Sequence, residues 1–329
     1  MKNRKLSFQI IKLLSVLFVL IFALTACSGG LSGASQDTGT VKINFTGTSA
    51  SRSSHESYDP MPFPPPPDMT AEELAAVVYN IVLTSGGKTL SFEVGNGATY
   101  YKATVPAGNW AVDVKAYIRQ NGNFLYAKSD GVNTVAVIAG QSSQVSIKMV
   151  KGYVYDVGDT GPGGGIIFCC DPGGFINTAT GEICYYLEVA KGDTPESIGN
   201  YPPCWAAPTS SAGDLDMTGI ERGIGTGRNN TNLILSQDPI APAALSAKNY
   251  SDANFPYDWF MPSIEELKIL YRWWNKNQNA LPLSNGYWSS SQANKFSAYF
   301  YNFDTPSGQE MYLKTEPRCK VRPIRAFAQ

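Results

Sequence analysis

Apolar and polar residues alternate over short runs through the first half of the chain, the period-two signature of half-buried β-strands. Val41-Lys42-Ile43-Asn44-Phe45 is the first such run. Residues 78–83 and 90–94 flank Ser85-Gly86-Gly87-Lys88 and predict a β-hairpin. Residues 100–105 follow, and the turn Pro106-Ala107-Gly108 leads into a strand that sets Trp110, Val112, Val114 and Ala116 on one face. Residues 124–127, 132–138 and 145–149 complete a set of about seven strands, as expected of an antiparallel sandwich.

The second half has a different rhythm. Residues 165–169 and 184–189 are its clear early strands, followed by two helical stretches. The weaker joins residues 230–235 and 243–250 across Pro239 and Pro242. The stronger begins at Ser263, with Glu266 three residues on as a capping box, and repeats Ile264, Leu267, Leu270 or Tyr271, and Trp274 at helical spacing. Short strands at 287–289, 298–303, 310–314 and 319–327 end the chain. Helices set among short strands predict an α+β domain with long loops.

The amino terminus adds an address. Lys2, Arg4 and Lys5 precede an apolar run over residues 10–24, interrupted by Lys12 and Ser15. This is short for a membrane span and fits a signal-peptide core. It ends in Leu24-Thr25-Ala26-Cys27, which resembles the lipobox of bacterial lipoproteins and implies a lipid-modified thiol on Cys27. Ser28 follows where an acidic residue would signal inner-membrane retention, so the outer membrane is the expected address. Residues 27–40 read as a flexible tether. Residues 49–57 and the prolines 64–67 read as an extended loop, with a short helical turn over 70–74. The expected organisation is a leader over 1–26, the tether over 27–40, a β-sandwich spacer over 41–151 and a second domain over 152–329.

Charge removes one class of partner. Lys and Arg number 26 against 27 Asp and Glu, and charged residues make up 16% of the chain. Bulk electrostatics therefore points to no nucleic-acid ligand, and the composition is that of a loop-rich or all-β extracellular protein. Five cysteines remain beside Cys27: Cys169, Cys170, Cys184, Cys204 and Cys319. An odd count outside the cytoplasm allows at most two bridges, or none, and leaves the pairing open.

Two resemblances follow from particular residues. Val105-Pro106-Ala107-Gly108-Asn109-Trp110 and Ala139-Gly140-Gln141 resemble the immunoglobulin-like or transthyretin-like modules of bacterial surface lipoproteins. In the second half five blocks occur in order: residues 156–168 (Asp-Val-Gly-Asp-Thr-Gly-Pro-Gly-Gly-Gly-Ile-Ile-Phe), 224–231, 258–267, 287–291 and 321–327. Together they resemble the C-terminal domain of Lcl-type bacterial surface proteins. That resemblance implies a C-type-lectin-like fold, more distantly similar to formylglycine-generating enzymes, and an adhesive role that includes glycosaminoglycan binding.

The glycine run 158–165 lacks the lysine and following helix of a phosphate loop and reads as a tight entry into a strand. Gly223-Ile224-Gly225-Thr226-Gly227-Arg228 precedes a helix, so it is read either as an anion site or as a structural turn. The single histidine, His55, lies outside the second half. Cys169 and Cys170 are adjacent and form no C-x-x-C pair. The two nearby cysteines of formylglycine-generating enzymes are represented only by Cys319, and the calcium-ligand runs of C-type lectins are missing. No enzyme, cofactor or metal is therefore expected.

Recognition groups remain. The resemblance places the ligand face near the C-terminal end, where Asn285, Tyr287, Gln292, Asn294, Tyr299, Tyr301, Asn302 and Asp304, with Lys295, offer aromatic and amide contacts. The alternative is that Tyr299 and Tyr301 flank Phe300 on a half-buried strand. Arg318, Lys320 and Arg322 at spacing two, with Lys314 nearby, could form a basic stripe for a polyanion. The alternative is a solvated face, or arginines paired internally with Glu310 or Glu316. The expected function is a surface-anchored, adhesin-like lipoprotein binding a glycan or a protein. An enzyme on a formylglycine-generating-type scaffold and a structural envelope component are the rivals. Oligomeric state is left open.

Overall fold

A computed structural model describes residues 37–47, 70–95, 98–195, 203–208, 211–250, 258–305 and 308–329. The leader, Cys27, His55 and the proline run lie outside the described residues. Thr38–Gln329 forms one compact unit.

Eight strands form the first sheet: β1 (Thr38–Gly47), β2 (Val77–Ser85), β3 (Lys88–Gly95), β4 (Tyr100–Pro106), β5 (Gly108–Arg119), β6 (Asn123–Ser129), β7 (Asn133–Val137) and β8 (Ser142–Lys151). A short helix, α1 (Ala71–Ala75), precedes β2. The β2–β3 hairpin closes on Gly86 and Gly87 at φ 53° and 78°, the positive values that a two-residue hairpin turn needs. The order is β3-β2-β5-β6-β8-β1-β4, with β7 paired to β5. The sheet is rolled and nearly closed, with sandwich-like layers, and its parallel β1–β8 pair departs from the all-antiparallel pattern expected. Long β5 makes the bend: its start pairs with β7 and its end with β6, while β2 follows its other side. Phe92 of β3 meets Tyr101 of β4 at 5.1 Å, so rings close the gap between the two edges. Phe45 stacks on Tyr79 at 5.0 Å across the interior, where Trp110, Val112, Val114, Ala116 and Ile118 point inward.

The later strands form two three-stranded antiparallel sheets. One has the order β14-β10-β9, from β9 (Ile166–Ile176), β10 (Ile183–Val189) and β14 (Ile324–Phe327). The other is β11-β12-β13, from β11 (Gly286–Gln292), β12 (Ser297–Asn302) and β13 (Gln309–Leu313). Helices α2 (Gly227–Gln237), α3 (Pro242–Lys248) and α4 (Ile264–Lys276) lie between β10 and β11 in sequence. α4 has the expected capping box, with Ser263 and Glu266 bonded reciprocally, and buries Ile264, Leu267, Leu270 and Trp274. The whole is a mainly β chain with few helices, a coarser description than the C-type-lectin-like domain expected over 152–329.

The first hydrophobic core crosses the boundary expected near residue 152. It holds Phe124 and Tyr126 of β6 together with Tyr153, Ile167, Cys170, Tyr185 and Tyr186. A register shift in β10 between Cys184 and Tyr186 turns both neighbouring tyrosines toward this core. Cys170 faces the first core while Cys169 packs against the second, so the two thiols do lie on opposite faces of β9.

Candidate functional site

The second half is organised around two buried carboxylates, each gripped by a glycine-rich loop. Glu188, on β10, has no solvent exposure. It accepts hydrogen bonds from Gly163 N at 3.1 Å and Gly165 N at 2.6 Å, and lies 3.1 Å from Arg325 Nη1. Arg325 Nη2 lies 2.8 Å from Asp258, whose second oxygen is 3.1 Å from Arg228 Nη1. A charge chain thus runs from the interior to half-exposed Arg228. A Cβ on Gly161 would lie 2.5 Å from Cδ of Glu188, and one on Gly165 would lie 2.3 Å from the Val189 carbonyl oxygen. The glycines are thus required for close approach to a carboxylate of the chain itself, beyond strand entry.

Glu266 repeats the arrangement at the start of α2. Its carboxylate accepts from Gly225 N at 2.8 Å and Ser263 N at 2.7 Å. A Cβ on Gly227 would stand 2.3 Å from Glu266 Oε2. The anion at this helix start is therefore supplied internally. Complete burial raises the Glu266 carboxyl to about 7, against the opposing pull of those donors.

These clamps join the five sequence blocks. Gly163 packs against Arg325, Arg325 pairs with Asp258, and Gly225 with Glu266. Asn230 Nδ2 donates to Ser290 Oγ at 3.1 Å, and Ile264 N donates to Ser291 Oγ at 3.2 Å. Trp288 and Ser289 to Ser291 are buried, as expected of core and turn.

The expected ligand residues are divided. Tyr287, Tyr299 and Tyr301 are interior, each at most 9% exposed and part of the second core. At one end of β12, Asn285, Asn302 and Asp304 build a turn: Asn285 sits at φ 65° and donates its N–H to Asp304 Oδ2 at 2.9 Å. At the other end, Asn294 and Lys295 lie exposed beside Phe296. Gln292 is turned inward, its Oε1 accepting from Lys314 Nζ at 3.0 Å. The set does not form one surface; strand β12 separates its two exposed groups.

The basic stripe does not form. Residues 318–322 contain one isolated bridge, Lys320 to Tyr287, and no strand. Arg322, 1% exposed, pairs with Asp193 at 2.7 Å and donates to the Ala190 carbonyl at 2.9 Å. Lys320 lies 3.6 Å from the same Asp193. Lys314 is fully buried, donating to the Leu215 and Lys295 carbonyls and lying 4.9 Å over the Trp205 ring. Burial lowers its ammonium to about 8. Arg318 alone of the stripe is exposed, over the ring of Tyr312. Internal pairing does occur, with Asp193 in place of Glu310 or Glu316. Asp193 and Glu188 were not singled out from the sequence, and Glu266 was read there only as the capping-box partner of Ser263. Lone acids in apolar or capping contexts were the available signal.

None of the five described cysteines forms a disulfide among the described residues. Burial pushes Cys170 up to about 12 and Cys184 up to about 11, and raises Cys319 and Cys204 as well. Such thiols are poor nucleophiles near neutrality, because the thiolate is the reactive form. Among the described residues no group of three or more His, Cys, Asp or Glu could hold a metal ion, and no helix is long and apolar enough to cross a membrane.

No known protein family's sequence profile matches the chain, and no curated protein matches it. Among solved structures it is similar to a fimbrial protein from Bacteroides ovatus, at 13% identity and a TM-score of 0.36, over 88% of this chain and 71% of that one. A likeness of that size carries no argument about fold or role.

Proposed function

We propose that the chain is a bacterial surface lipoprotein, anchored by lipid on Cys27, that holds an extracellular glycan or protein non-covalently through its C-terminal half. The Lcl-type, C-type-lectin-like reading of residues 152–329 belongs to this proposal. Its support is that the five blocks carrying the resemblance are tied together, four through the Glu188 and Glu266 clamps and the block 287–291 through the hydrogen bonds to Ser290 and Ser291. The formylglycine-generating alternative calls for two nearby cysteines toward the C-terminal end, where the sequence has Cys319 alone.

One observation carries the recognition surface. Phe296 is 44% exposed, and Lys295 Nζ lies 4.4 Å over its ring. Asn294 Oδ1 accepts from Phe296 N at 2.8 Å and Ser297 N at 3.0 Å, fixing the loop. Leu215, 40% exposed, lies nearby, since its carbonyl and that of Lys295 share the Lys314 ammonium. An ordered aromatic with a cation and amides around it is suited to contact at low entropy cost.

A glycan array and salt-titrated heparin binding, each with the full chain, test the glycan form. Phe296→Ala with Lys295→Ala is expected to weaken binding at least about tenfold, or about 1.4 kcal/mol. Retention unchanged by both substitutions removes this surface. Absence of any glycan or heparin binding removes the glycan form and leaves a protein partner or a structural envelope role.

A further inference from the structure

Among the described residues, strand β13 is the outer strand of its sheet, paired on one side only, with β12. The bonds from Asn302 N to the Gly308 carbonyl and from Lys314 N to the Phe296 carbonyl fix the alternation of the ladder. Residues 310 and 312 therefore turn their backbone groups toward β12, and residues 309, 311 and 313 turn theirs outward. Met311 is 56% exposed and Leu313 48%. Gln309-Glu310-Met311-Tyr312-Leu313 contains neither the lysine nor the proline that commonly blocks pairing at an open edge.

We propose that β13 pairs with the β13 of a second copy of this chain, antiparallel and centred on Met311, joining two three-stranded sheets across a two-fold axis. Charge complementarity selects a second copy as the occupant. In this register Met311 faces Met311, Gln309 faces Leu313, and Glu310 faces Tyr312 of the other copy. The outward backbone groups at 309, 311 and 313 are the ones this register uses. Glu310 and Tyr312 share one sheet face, and the ring of Tyr312 carries the Arg318 guanidinium at 4.5 Å. Each Glu310 carboxylate is thus brought beside an Arg318 of the other copy, and the two-fold axis forms this pair twice. On the opposite face the exposed methionines cover one another. The self-complementary spacing of acid, aromatic-borne cation and apolar centre is what an unrelated strand would lack. This pairing is independent of the Phe296 surface, and neither test substitutes the other's residues.

The opposed Met311 Cα atoms of such a pair lie about 5.5 Å apart, within disulfide reach. Met311→Cys in the full chain, in expressing cells given mild oxidant, is expected to yield a covalent species of twice the chain mass on a non-reducing gel. Lys276→Cys, also exposed, is expected to yield none. In sedimentation of the detergent-solubilised full chain, Glu310→Arg is expected to weaken self-association at least tenfold, and Glu310→Arg with Arg318→Glu to restore it. All four substituted positions are exposed, so unchanged denaturation midpoints are expected and confirm folding. Monomeric Met311→Cys, a cross-linked product of any other mass, a native chain monomeric at every concentration, or a double swap that fails to restore association each overturns the proposal.

Discussion

Arg325 Nη1 lies 3.1 Å from Glu188 Oε2, and the two side chains are 4% and 0% exposed. A pair this deep loses much of its attraction to desolvation unless its remaining valences are filled. Here Gly163, Gly165 and Asp258 fill them. Removing one member leaves the other buried and uncompensated. Glu188→Ala and Arg325→Met are each expected to cost about 3–5 kcal/mol of folding free energy, measured by urea denaturation. The double variant should lose clearly less than the sum, because one deletion already forfeits the interaction. Additive losses would show that the pair is not coupled.

Gly227→Ala tests the second clamp. Its Cβ would lie 2.3 Å from Glu266 Oε2 and 2.9 Å from both the Met261 carbonyl oxygen and Ser263 N. Overpacking of this kind costs about 1–3 kcal/mol. At Gly192 a Cβ meets nothing within 4 Å, so Gly192→Ala should leave the denaturation midpoint near that of the native chain. Equal effects at the two sites would refute the clamp.

The Glu266 carboxyl, raised by burial to about 7 from 4.5, makes stability depend on pH. The folded state holds this proton more tightly than the unfolded state. Its stabilising contribution is full below the unfolded value and is lost as pH rises through about 7. Native unfolding free energy should therefore fall between pH 5 and pH 8, by roughly 1–3 kcal/mol from this group. Glu266→Gln should flatten that slope, as read from urea midpoints across the same range. A slope that survives the substitution places its origin elsewhere.

Lys314→Met should destabilise the chain although it replaces a charge with an apolar group. The substitution leaves the Leu215 and Lys295 carbonyls and Gln292 Oε1 without their shared donor, and removes the cation from the Trp205 ring. Hydrogen bonds from a charged donor are worth about 1.5–3 kcal/mol. A thermal-unfolding midpoint at or above the native one would show the ammonium to be dispensable.

Much of the secondary structure was legible because its signals are local. The Gly86-Gly87 turn, the alternation through Trp110 and the Ser263–Glu266 box each act within a few residues. Sheet closure was not legible, because the Phe92–Tyr101 contact depends on how β5 divides its partners between β6 and β7. The tyrosines misled for a related reason. Strand β12 lies between two cores, with Tyr299 and Tyr301 facing one and Ala298 and Phe300 the other. A strand covered on both sides carries no alternation to mark an exposed face. The basic stripe failed because spacing two implies one face only in a strand, and Pro317 and Pro323 bracket a segment that does not pair as one. Of the ligand set, the loop Asn294–Lys295 kept its exposure; the inward turn of Gln292 depends on Lys314, distant in sequence.

The pairing of β1 with β8 has a mechanical consequence. The two run parallel, from Thr40 beside Ser142 to Gly47 beside Met149. A pull that enters at Thr38 and leaves through Lys151 draws them lengthwise past each other, so the rungs of the ladder share the load instead of parting one after another. The rolled sheet should behave as a shear-loaded clasp. Stretched between its N-terminal end and residue 151 in a force spectrometer, it should yield at clearly higher force than when pulled across the β2–β3 hairpin.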